Sequence, residues 1–481
     1  YAEDSGNDKA RRDDAYTRLG DTYFVTSKYW PAMEAYNKAL EMNIGNQDYA
    51  AYQKAISYGF VDRNNSKIEE LSSFMNRYPR SSYRDDALYE LGNTYVAMKE
   101  NQKAQETYNK LIRDVPGSAF VPQALLKQGL IYYNDDQSNK ALEKFKKVVA
   151  DYPNTPESMQ AVSTARLIYI DLGRTDEYAN WVKNIDFVEV TDADLDNTTF
   201  ESAEKQYLNN NTSAAKTNLE KYLQQFPNGL NALKSNFYLA QLYFRDNEKQ
   251  KAVSHYQFVV EKPRSEFSEQ ALARLSQIYL ENRNYKDAIP LLKRLETEAD
   301  FNQNVVYAQS NLMKSYYELK NYSEAENYAE KVLSNSGIET SVKNDAQTII
   351  ARSALETGNE SRAKSAYAQV LKTATGELGA EALYYDAYFK NKDGNYKASN
   401  EAVQKLAKDY SGYKLYGAKG LVLMAKNFYA LNDAYQATYI LDNVIKNFTD
   451  YPDVVEEAKA ELAKIKAQEA KTNASVETQK Q

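Results

Sequence analysis

The residues with the clearest potential for chemistry in this sequence are a lone histidine and a run of alternating aspartates. His255 is the only histidine among 481 residues, and there is no cysteine. A hydrolytic triad needs a histidine between a nucleophile and an orienting acid, and thiolate chemistry needs cysteine. His255 stands beside Tyr256 in a helix-periodic segment without such partners. We therefore interpret it as a structural side chain and expect no catalytic residue.

The aspartate run imitates the start of a calcium-binding loop. Asp192, Asp194 and Asp196 alternate as the first carboxylates of such a loop do. The sixth and twelfth positions of the loop require Gly and a bidentate Glu, whereas this sequence has Asn197 and Ala203. The sequence thus lacks both the glycine that makes the sharp turn of the loop and the glutamate that completes the coordination of the ion. We interpret the aspartates as N-cap and first-turn residues of a helix and expect no metal site.

Cofactor and nucleic-acid motifs are also missing. The sequence contains neither Gly-x-Gly-x-x-Gly nor a phosphate-binding Gly-Lys-Ser/Thr loop. Its net charge of −7 is spread over interspersed acids and bases, with no strongly basic segment. We therefore expect no cofactor and no nucleic-acid partner. A glycosidase-like pair of carboxylates stays open as an alternative, since acids are abundant and nothing singles out one pair.

The elements that carry these residues follow a repeated spacing. A small residue precedes an alanine by twelve positions, and the leading residues recur at intervals near 37 or twice that. Large apolar side chains follow each member by three or four positions, on the same helix face. With weaker units at Ala55, Ala165 and Ala387, the pattern predicts twelve pairs of closely crossing antiparallel helices. The pairs are Gly20/Ala32, Gly92/Ala104, Gly129/Ala141, Ala203/Ala215, Ala240/Ala252, Ser276/Ala288, Ala351/Ala363 and Ala425/Ala437, and Met313/Ala325 keeps the spacing without a small first residue.

Proline marks the boundaries between units. It ends the second helix, and the Ser, Thr or Asn that follows can cap the next helix. These boundary residues are Pro79, Pro116, Pro153, Pro227 and Pro263.

The combination of small residues, aromatics and boundary prolines resembles the tetratricopeptide repeat, whose period is about 34 residues. The resemblance covers residues 10 to about 450. It implies an all-α, right-handed superhelical solenoid of about twelve hairpins. The units are two to four residues longer than that period, with the excess at the Pro-Ser turn. In this they resemble repeat proteins of the Gram-negative cell envelope, such as outer-membrane assembly lipoproteins.

The sequence predicts five segments. Residues 10–185 form an N-terminal array of about five units, and residues 199–450 form a C-terminal array of about seven. The acidic, non-periodic residues 186–198 between them are a candidate hinge. Residues 451–471 are predicted to be an amphipathic capping helix, and residues 472–481 a disordered tail.

The location of the protein is predicted mainly from the resemblance. No apolar run approaches the roughly 18 to 20 residues that cross a bilayer. The sequence begins at Tyr1 in a polar stretch, so we expect a processed or truncated product whose export signal or lipid anchor lies outside it. A periplasmic or outer-membrane-associated protein is predicted, with a cytoplasmic protein as the alternative. Membrane association would come from such an anchor or from a partner.

Function is implied by the resemblance as well: partner polypeptides would bind in a groove lined by the first helices. Aromatic residues at groove positions would be the binding hot spots, and the alternative is that they only pack neighbouring first helices together. Tyrosine is abundant, with 42 copies, so glycan or peptidoglycan binding through groove tyrosines is a second hypothesis. The candidate residues are Phe24, Tyr89, Tyr133, Tyr169, Phe237, Phe244, Tyr317 and Tyr429.

Overall fold

The structure is a computed structural model that describes residues 8–44 and 47–478, with side chains as far as residue 471. Within these residues the chain forms α-helices and no β-strand. It divides into two compact units, Tyr1–Ser235 (unit 1) and Asn236–Gln481 (unit 2). The predicted all-α solenoid of helical hairpins is confirmed.

Unit 1 contains six hairpins, in each of which an odd-numbered first helix packs on an even-numbered second helix. The helices are α1 (Lys9–Val25), α2 (Tyr29–Leu40), α3 (Asp48–Gly59), α4 (Asn64–Arg77), α5 (Arg84–Ala97), α6 (Asn101–Asp114), α7 (Val121–Asn134), α8 (Ser138–Asp151), α9 (Pro156–Asp171), α10 (Thr175–Val182), α11 (Asp192–Leu208) and α12 (Thr212–Gln225).

Unit 2 continues the same alternation, and its first residue falls within α13. A final helix follows the last hairpin. The helices are α13 (Ala232–Arg245), α14 (Lys249–Glu261), α15 (Ser268–Glu281), α16 (Tyr285–Glu298), α17 (Asn302–Glu318), α18 (Tyr322–Ser334), α19 (Thr340–Glu356), α20 (Glu360–Thr373), α21 (Gly376–Lys392), α22 (Tyr396–Asp409), α23 (Lys414–Ala430), α24 (Ala434–Asn447) and α25 (Pro452–Thr478).

The glycine of each spacing pair that begins with one lies where the two helices of a hairpin cross. A Cβ atom at Gly20 would lie 2.5 Å from the ring of Tyr36 on the second helix, and one at Gly129 would lie 2.5 Å from the ring of Phe145. Both rings are fully buried. The ring four residues after the alanine therefore fills the space that the glycine leaves, and this contact sets the distance between the helices.

The turn inside every hairpin carries one residue with positive φ. This residue follows the first helix, whose last carbonyl groups accept backbone N–H bonds from the turn, as from Lys99 to Val96 and from Glu100 to Tyr95. That pattern is a Schellman C-cap. The twelve turn residues are Ser27, Asp62, Lys99, Asp136, Gly173, Asn210, Asn247, Arg283, Lys320, Gly358, Gly394 and Asn432.

The proline turns between hairpins use their polar residues in two ways. Thr155 caps α9 with a reciprocal capping box to Ser158, as the sequence predicted. Ser118 instead accepts a bond from the backbone N–H of Phe120 and donates to Asp85 at the start of the preceding first helix (2.7 Å). This serine ties two successive hairpins together rather than capping a helix.

The predicted hinge, residues 186–198, contains a link and the start of a helix. The link joins α10 to α11, and α11 begins at Asp192. The side chain of Leu195 is buried in the core of unit 1. The hinge itself stays a prediction.

The predicted capping helix corresponds to α25. This helix continues beyond the predicted end at residue 471 and reaches Thr478. Residues 479–481 of the predicted tail lie outside the described residues.

Candidate partner-binding surface

The first helices of neighbouring hairpins contact one another, α7 with α9 and α9 with α11 in unit 1, and α15 with α17 and α17 with α19 in unit 2. They therefore line one side of each stack, which we call the first-helix face. Side chains on this face enclose three open hollows. Two of them lie in unit 2 and one lies in unit 1.

Hollow A, of about 470 Å³, lies between α15 and α17. Its rim carries Phe301, whose side chain is 68% exposed, and its wall includes Tyr307 and Arg274. The guanidinium carbon of Arg274 lies 4.8 Å from the ring centre of Phe244. No carboxylate among the described residues forms an ion pair with Arg274. The hollow thus combines an exposed aromatic with a cation held over another ring.

The carboxylate of Glu269 fixes the rim of hollow A. It accepts bonds from the backbone N–H groups of Asp300 (3.1 Å) and Phe301 (3.3 Å) and from the side-chain amide of Asn304 (2.6 Å). These bonds cap the start of α17, where backbone donors would otherwise be unpaired. Because of this cap, Phe301 is held at the surface.

Hollow B, of about 400 Å³, lies one hairpin further along unit 2. Tyr317 and Arg352 line it, and the ring of Tyr317 lies 5.7 Å from that of Tyr322. Lys314 and Asp345 on its wall form an ion pair at 2.6 Å. The wall therefore combines aromatic and aliphatic side chains with charged and polar ones, as in many surfaces that bind peptides.

A buried carboxylate supports the floor of hollow B. Glu381 is 2% exposed and accepts two bonds from Arg352, at 2.8 and 2.5 Å, as well as hydroxyl bonds from Tyr367 (2.7 Å) and Tyr416 (2.9 Å). Burial alone would raise the pKa of Glu381, but Arg352 and the two hydroxyl groups hold that pKa below its usual value. The carboxylate connects three successive hairpins.

Hollow C, of about 380 Å³, lies between α3 and α5 in unit 1. Tyr52, Ile56 and Ala97 give it apolar walls, and Phe60 stands at its edge with 56% of its side chain exposed. The ring of Phe60 stacks on Tyr29 at 4.6 Å. The hollow is thus open to solvent and carries an aromatic ring on either side, Tyr52 and Phe60.

Two of the residues predicted for binding are core residues, which corrects their assignment to an open groove. Tyr169 is fully buried because α10 brings Tyr178 and Trp181 over it, with ring centres 6.0 and 6.3 Å away. Phe237 is 7% exposed and stacks on Phe267, the residue before α15, at 4.6 Å. Neither ring is available to a partner.

The other six candidates are partly buried, and their role in binding stays a prediction. They lie on first helices, but neighbouring side chains already cover part of each ring. In the order of the chain they are Phe24 beside Tyr29 and Phe60, Tyr89 stacked on Phe120, Tyr133 bonded to Asp171, Phe244 under Arg274, Tyr317 beside Tyr322, and Tyr429 against the core of the last hairpin.

Four residues of the hollows were missed from the sequence. Phe60 and Phe301 lie at helix ends, outside the positions that the repeat spacing selects. Tyr307 and Arg274 lie at the second and sixth positions of their units, whereas only the fifth, ninth and twelfth were considered. Including those two positions would have found Tyr307 and Arg274. Phe60 and Phe301 could not have been found in this way, because no position of the repeat spacing includes them.

The lone histidine and two of the alternating aspartates make hydrogen bonds that stabilise helix ends and hairpin contacts. His255 Nδ1 lies 2.8 Å from Asn236 Oδ1. Thr191 caps α11 in a reciprocal box with Asp194, whose pKa is lowered by those bonds. Asp196 is buried and accepts bonds from Tyr222 (2.7 Å) and from the backbone of the turn before α13. The predicted first-turn role is confirmed for Asp192 and Asp194, whereas the N-cap is Thr191 and Asp196 lies one turn later, where it bonds to α12 and to the turn before α13 instead.

In the part of the chain that the structure describes, no group of three or more acids or histidines is arranged to hold a metal ion. Among the same residues, no helix has the length and apolar character needed to cross a bilayer.

Comparisons with known proteins fit this geometry. Sequence models of the family described as Tetratricopeptide repeat match residues 13–43, 86–118, 123–155 and 239–303. No curated protein sequence matches the chain.

Similar solved structures include three repeat proteins. MamA is 23% identical, with 40% of this chain and 93% of that chain covered and a TM-score of 0.31. A tetratricopeptide repeat protein from Parabacteroides merdae is 16% identical, with 54% and 96% covered and a TM-score of 0.28. Yeast Tom70 is 14% identical, with 96% and 97% covered and a TM-score of 0.30. The residues that the family models match coincide with hairpins that the structure forms, so these segments are similar to tetratricopeptide repeats.

Proposed function

We propose that this chain is a non-catalytic scaffold that binds partner polypeptides along its first-helix faces. The observation that carries the proposal is the pair of hollows in unit 2. Hollow A presents the exposed ring of Phe301 and the cation of Arg274, which no carboxylate of the described residues neutralises, and hollow B presents Tyr317. Aromatic and arginine side chains are the residues that most often dominate protein interfaces.

The shape of the hollows favours an extended polypeptide. Each is open to solvent and has room for one or two side chains, and hollow B follows hollow A along the face by one hairpin. Successive hollows along one face suit separate side chains of one bound segment. Rigid helices hold both hollows in place, so little ordering is needed on binding.

Site-specific photo-crosslinking in native cells tests the proposal. A photoreactive amino acid replaces Gln277 or Asn311, which line hollows A and B, and, as control, Gln436 or Asp442 on the outer surface of α24. We expect protein adducts from the first two positions and few from the controls. Equal labelling at all four positions, or none at the hollows, would refute the proposal.

A pair of double variants sharpens the test. Phe301→Ala with Tyr317→Ala removes aromatic surface from both hollows and should reduce the crosslinks at Gln277 and Asn311 by about tenfold. Tyr435→Ala with Tyr439→Ala removes two exposed rings from the outer face of α24 and should leave them unchanged.

Glycan binding through groove tyrosines is the second hypothesis, and the stacking of the rings disfavours it. Tyr52 stacks on Tyr83 at 5.5 Å and Tyr89 on Phe120 at 4.8 Å. A sugar would have to stack on the face of such a tyrosine ring, and in both pairs a neighbouring aromatic ring already covers one face. A glycan array distinguishes the two functions, since saturable binding of one glycan class that Tyr317→Ala abolishes would favour the second.

We further propose that the scaffold works in the Gram-negative envelope, in support of an assembly or transport complex. The support is the length of the units and their serine-containing proline turns, as at Ser118. Cell fractionation of the native protein tests this location. Recovery with cytoplasmic markers would contradict it and favour the alternative.

A further inference from the structure

We propose that the first-helix face of unit 1 binds a segment rich in lysine or arginine, with an apolar side chain of that segment seated in hollow C. The inference rests on the proposed function, because it assumes that a first-helix face binds polypeptide. It goes beyond that function by specifying the charge of the ligand. It also locates a second site in unit 1, whereas hollows A and B lie in unit 2.

Hollow C supplies the apolar part of the site. Tyr52 lines one side of it, and its ring stacks on that of Tyr83 at 5.5 Å and 13°. Phe60 is exposed at the opposite edge and stacks on Tyr29, with Phe24 edge-on to both. Exposed aromatic surface around an open hollow is favourable for seating an apolar side chain.

Two carboxylates outside the lining of hollow C, Asp86 near Tyr52 and Asp21 bonded to Tyr49, have no cationic partner among the described residues. Asp21 accepts bonds only from the hydroxyl groups of Tyr36 and Tyr49, at 2.8 and 2.9 Å. Asp86 lies close enough to Tyr52 to raise the pKa of its hydroxyl, after the larger effect of burial. No described side chain forms an ion pair with either carboxylate. Two negative charges on the face are therefore uncompensated.

The cation that lines hollow C is already paired. Lys67 forms an ion pair with Glu90 at 2.7 Å, and both line the hollow. Asp85 adds a further carboxylate next to Asp86, bonded to Ser118. Crowding of these acids, after burial, raises the pKa of Asp86. A cationic side chain placed here would relieve that repulsion, whereas an acidic segment would add to it.

The charge pattern and the apolar hollow together select the class of ligand. A bare cation would use the carboxylates and leave the aromatic hollow empty. An apolar peptide would fill the hollow and leave the carboxylates unpaired. A basic segment with interspersed apolar residues satisfies both, and an ammonium or guanidinium group can also lie against the exposed ring of Phe60.

Fluorescence anisotropy with the full chain tests the inference. The probe is a labelled peptide of about twelve residues that repeats Lys-Ser-Phe-Ser, and two control peptides replace Lys by Glu or Phe by Ser. The variant Asp21→Asn with Asp86→Asn keeps an acceptor oxygen for both tyrosines. Its control, Asp136→Asn with Glu143→Gln, removes the same charge from exposed sites elsewhere in unit 1.

We expect the Lys/Phe peptide to bind the native chain, and the Asp21/Asp86 variant to weaken that binding about tenfold or more. The control variant should change it less than about twofold, and circular dichroism should give the same helix content and melting for both. The inference is overturned if the Lys/Phe peptide fails to bind, if the two variants weaken binding equally, or if either control peptide binds as tightly. Crosslinking at Gln277 and Asn311 reports separately on unit 2, so failure of the proposed function is distinguishable from failure of this site.

Discussion

At the scale of single residues, tyrosine hydroxyl groups of second helices are anchored by polar side chains of first helices. Tyr36 donates to Asp21 and Tyr108 donates to Asn93, both at 2.8 Å. The ring fills the crossing between the helices while the hydroxyl bonds at the far side. This arrangement satisfies a polar group that burial would otherwise leave unpaired, and it explains how so many tyrosines are accommodated in thin helical stacks.

A prediction at this scale concerns the crossing glycine of the third hairpin. A Cβ atom at Gly92 would collide with the buried ring of Tyr108, so Gly92→Ala should lower the free energy of unfolding by about 1 to 3 kcal/mol through overpacking. Chemical denaturation followed by circular dichroism measures the change. Gly117→Ala is the control, because a Cβ atom there meets nothing within 4 Å. Equal stability of the two variants would contradict the packing.

A second prediction concerns the buried carboxylate under hollow B. Glu381→Gln removes the counter-charge of Arg352 and should destabilise unit 2 by about 3 kcal/mol. The pKa of Glu381 is lowered in the folded state. Its contribution is therefore present above the unfolded value of about 4.3 and is lost as the pH falls from there through the folded value.

Denaturation at pH 7 and at pH 3 measures this contribution. The difference between the native chain and Glu381→Gln should be large at pH 7 and smaller at pH 3. Glu457→Gln is the control, since Glu457 pairs with Lys426 at the surface and should cost little at either pH. A pH-independent difference for Glu381→Gln would argue against an ionised carboxylate.

At the scale of elements, the left-handed turn residue is the most regular feature of the hairpins. Asn or Asp occupies it in five turns and Gly in three, and these residues adopt positive φ at low cost. Lys99, Arg283 and Lys320 adopt the same conformation without that advantage. The tertiary contacts of their hairpins must hold these turns in place.

Replacement of one such residue tests the strain. Lys320→Gly should stabilise hairpin α17–α18 by about 0.5 to 1 kcal/mol, because the strain at φ of 58° disappears while the unfolded chain gains some freedom. Hydrogen exchange of that hairpin measures the change. Lys286→Gly, on the exposed side of α16, should destabilise its own hairpin by about 1 kcal/mol. Faster exchange in α17–α18 of Lys320→Gly would contradict the expected gain.

The sequence determines the hairpins more fully than the surface they present. Spacing pairs such as Gly20/Ala32 locate the crossings, because a missing Cβ and a ring four residues after the alanine are local facts. Burial of Tyr169 depends instead on the path of the short α10, and the exposure of Phe301 depends on the bonds from Glu269. Both are tertiary effects that the repeat period does not contain, so the hollows could not be located from spacing alone.

At the scale of the whole molecule, the stack in unit 1 is held together across the link between α10 and α11. Arg166 of α9 pairs with Glu201 of α11 at 2.8 Å and bonds to Thr198 at 2.9 Å. Asp176 of α10 pairs with Lys221 of α12 at 2.5 Å. In a repeat protein such contacts between neighbours carry the cooperativity of the array, so these bonds oppose independent movement of the hairpins on either side of the link.

Residues 183–191, which link α10 to α11, are either a hinge between two independent arrays or a connection within one continuous stack. Limited proteolysis distinguishes these two possibilities. The exposed positions of the link should be cut early, because irregular exposed backbone enters a protease more readily than a helix does. We expect the two fragments to stay associated in gel filtration, since the contacts of Arg166 and Asp176 and the buried Leu195 still join them. Replacing both Arg166 and Asp176 by Ala should make the nicked chain separate at lower denaturant concentration than the nicked native chain. If the native fragments instead separate and remain folded without denaturant, the link is a true hinge between independent arrays.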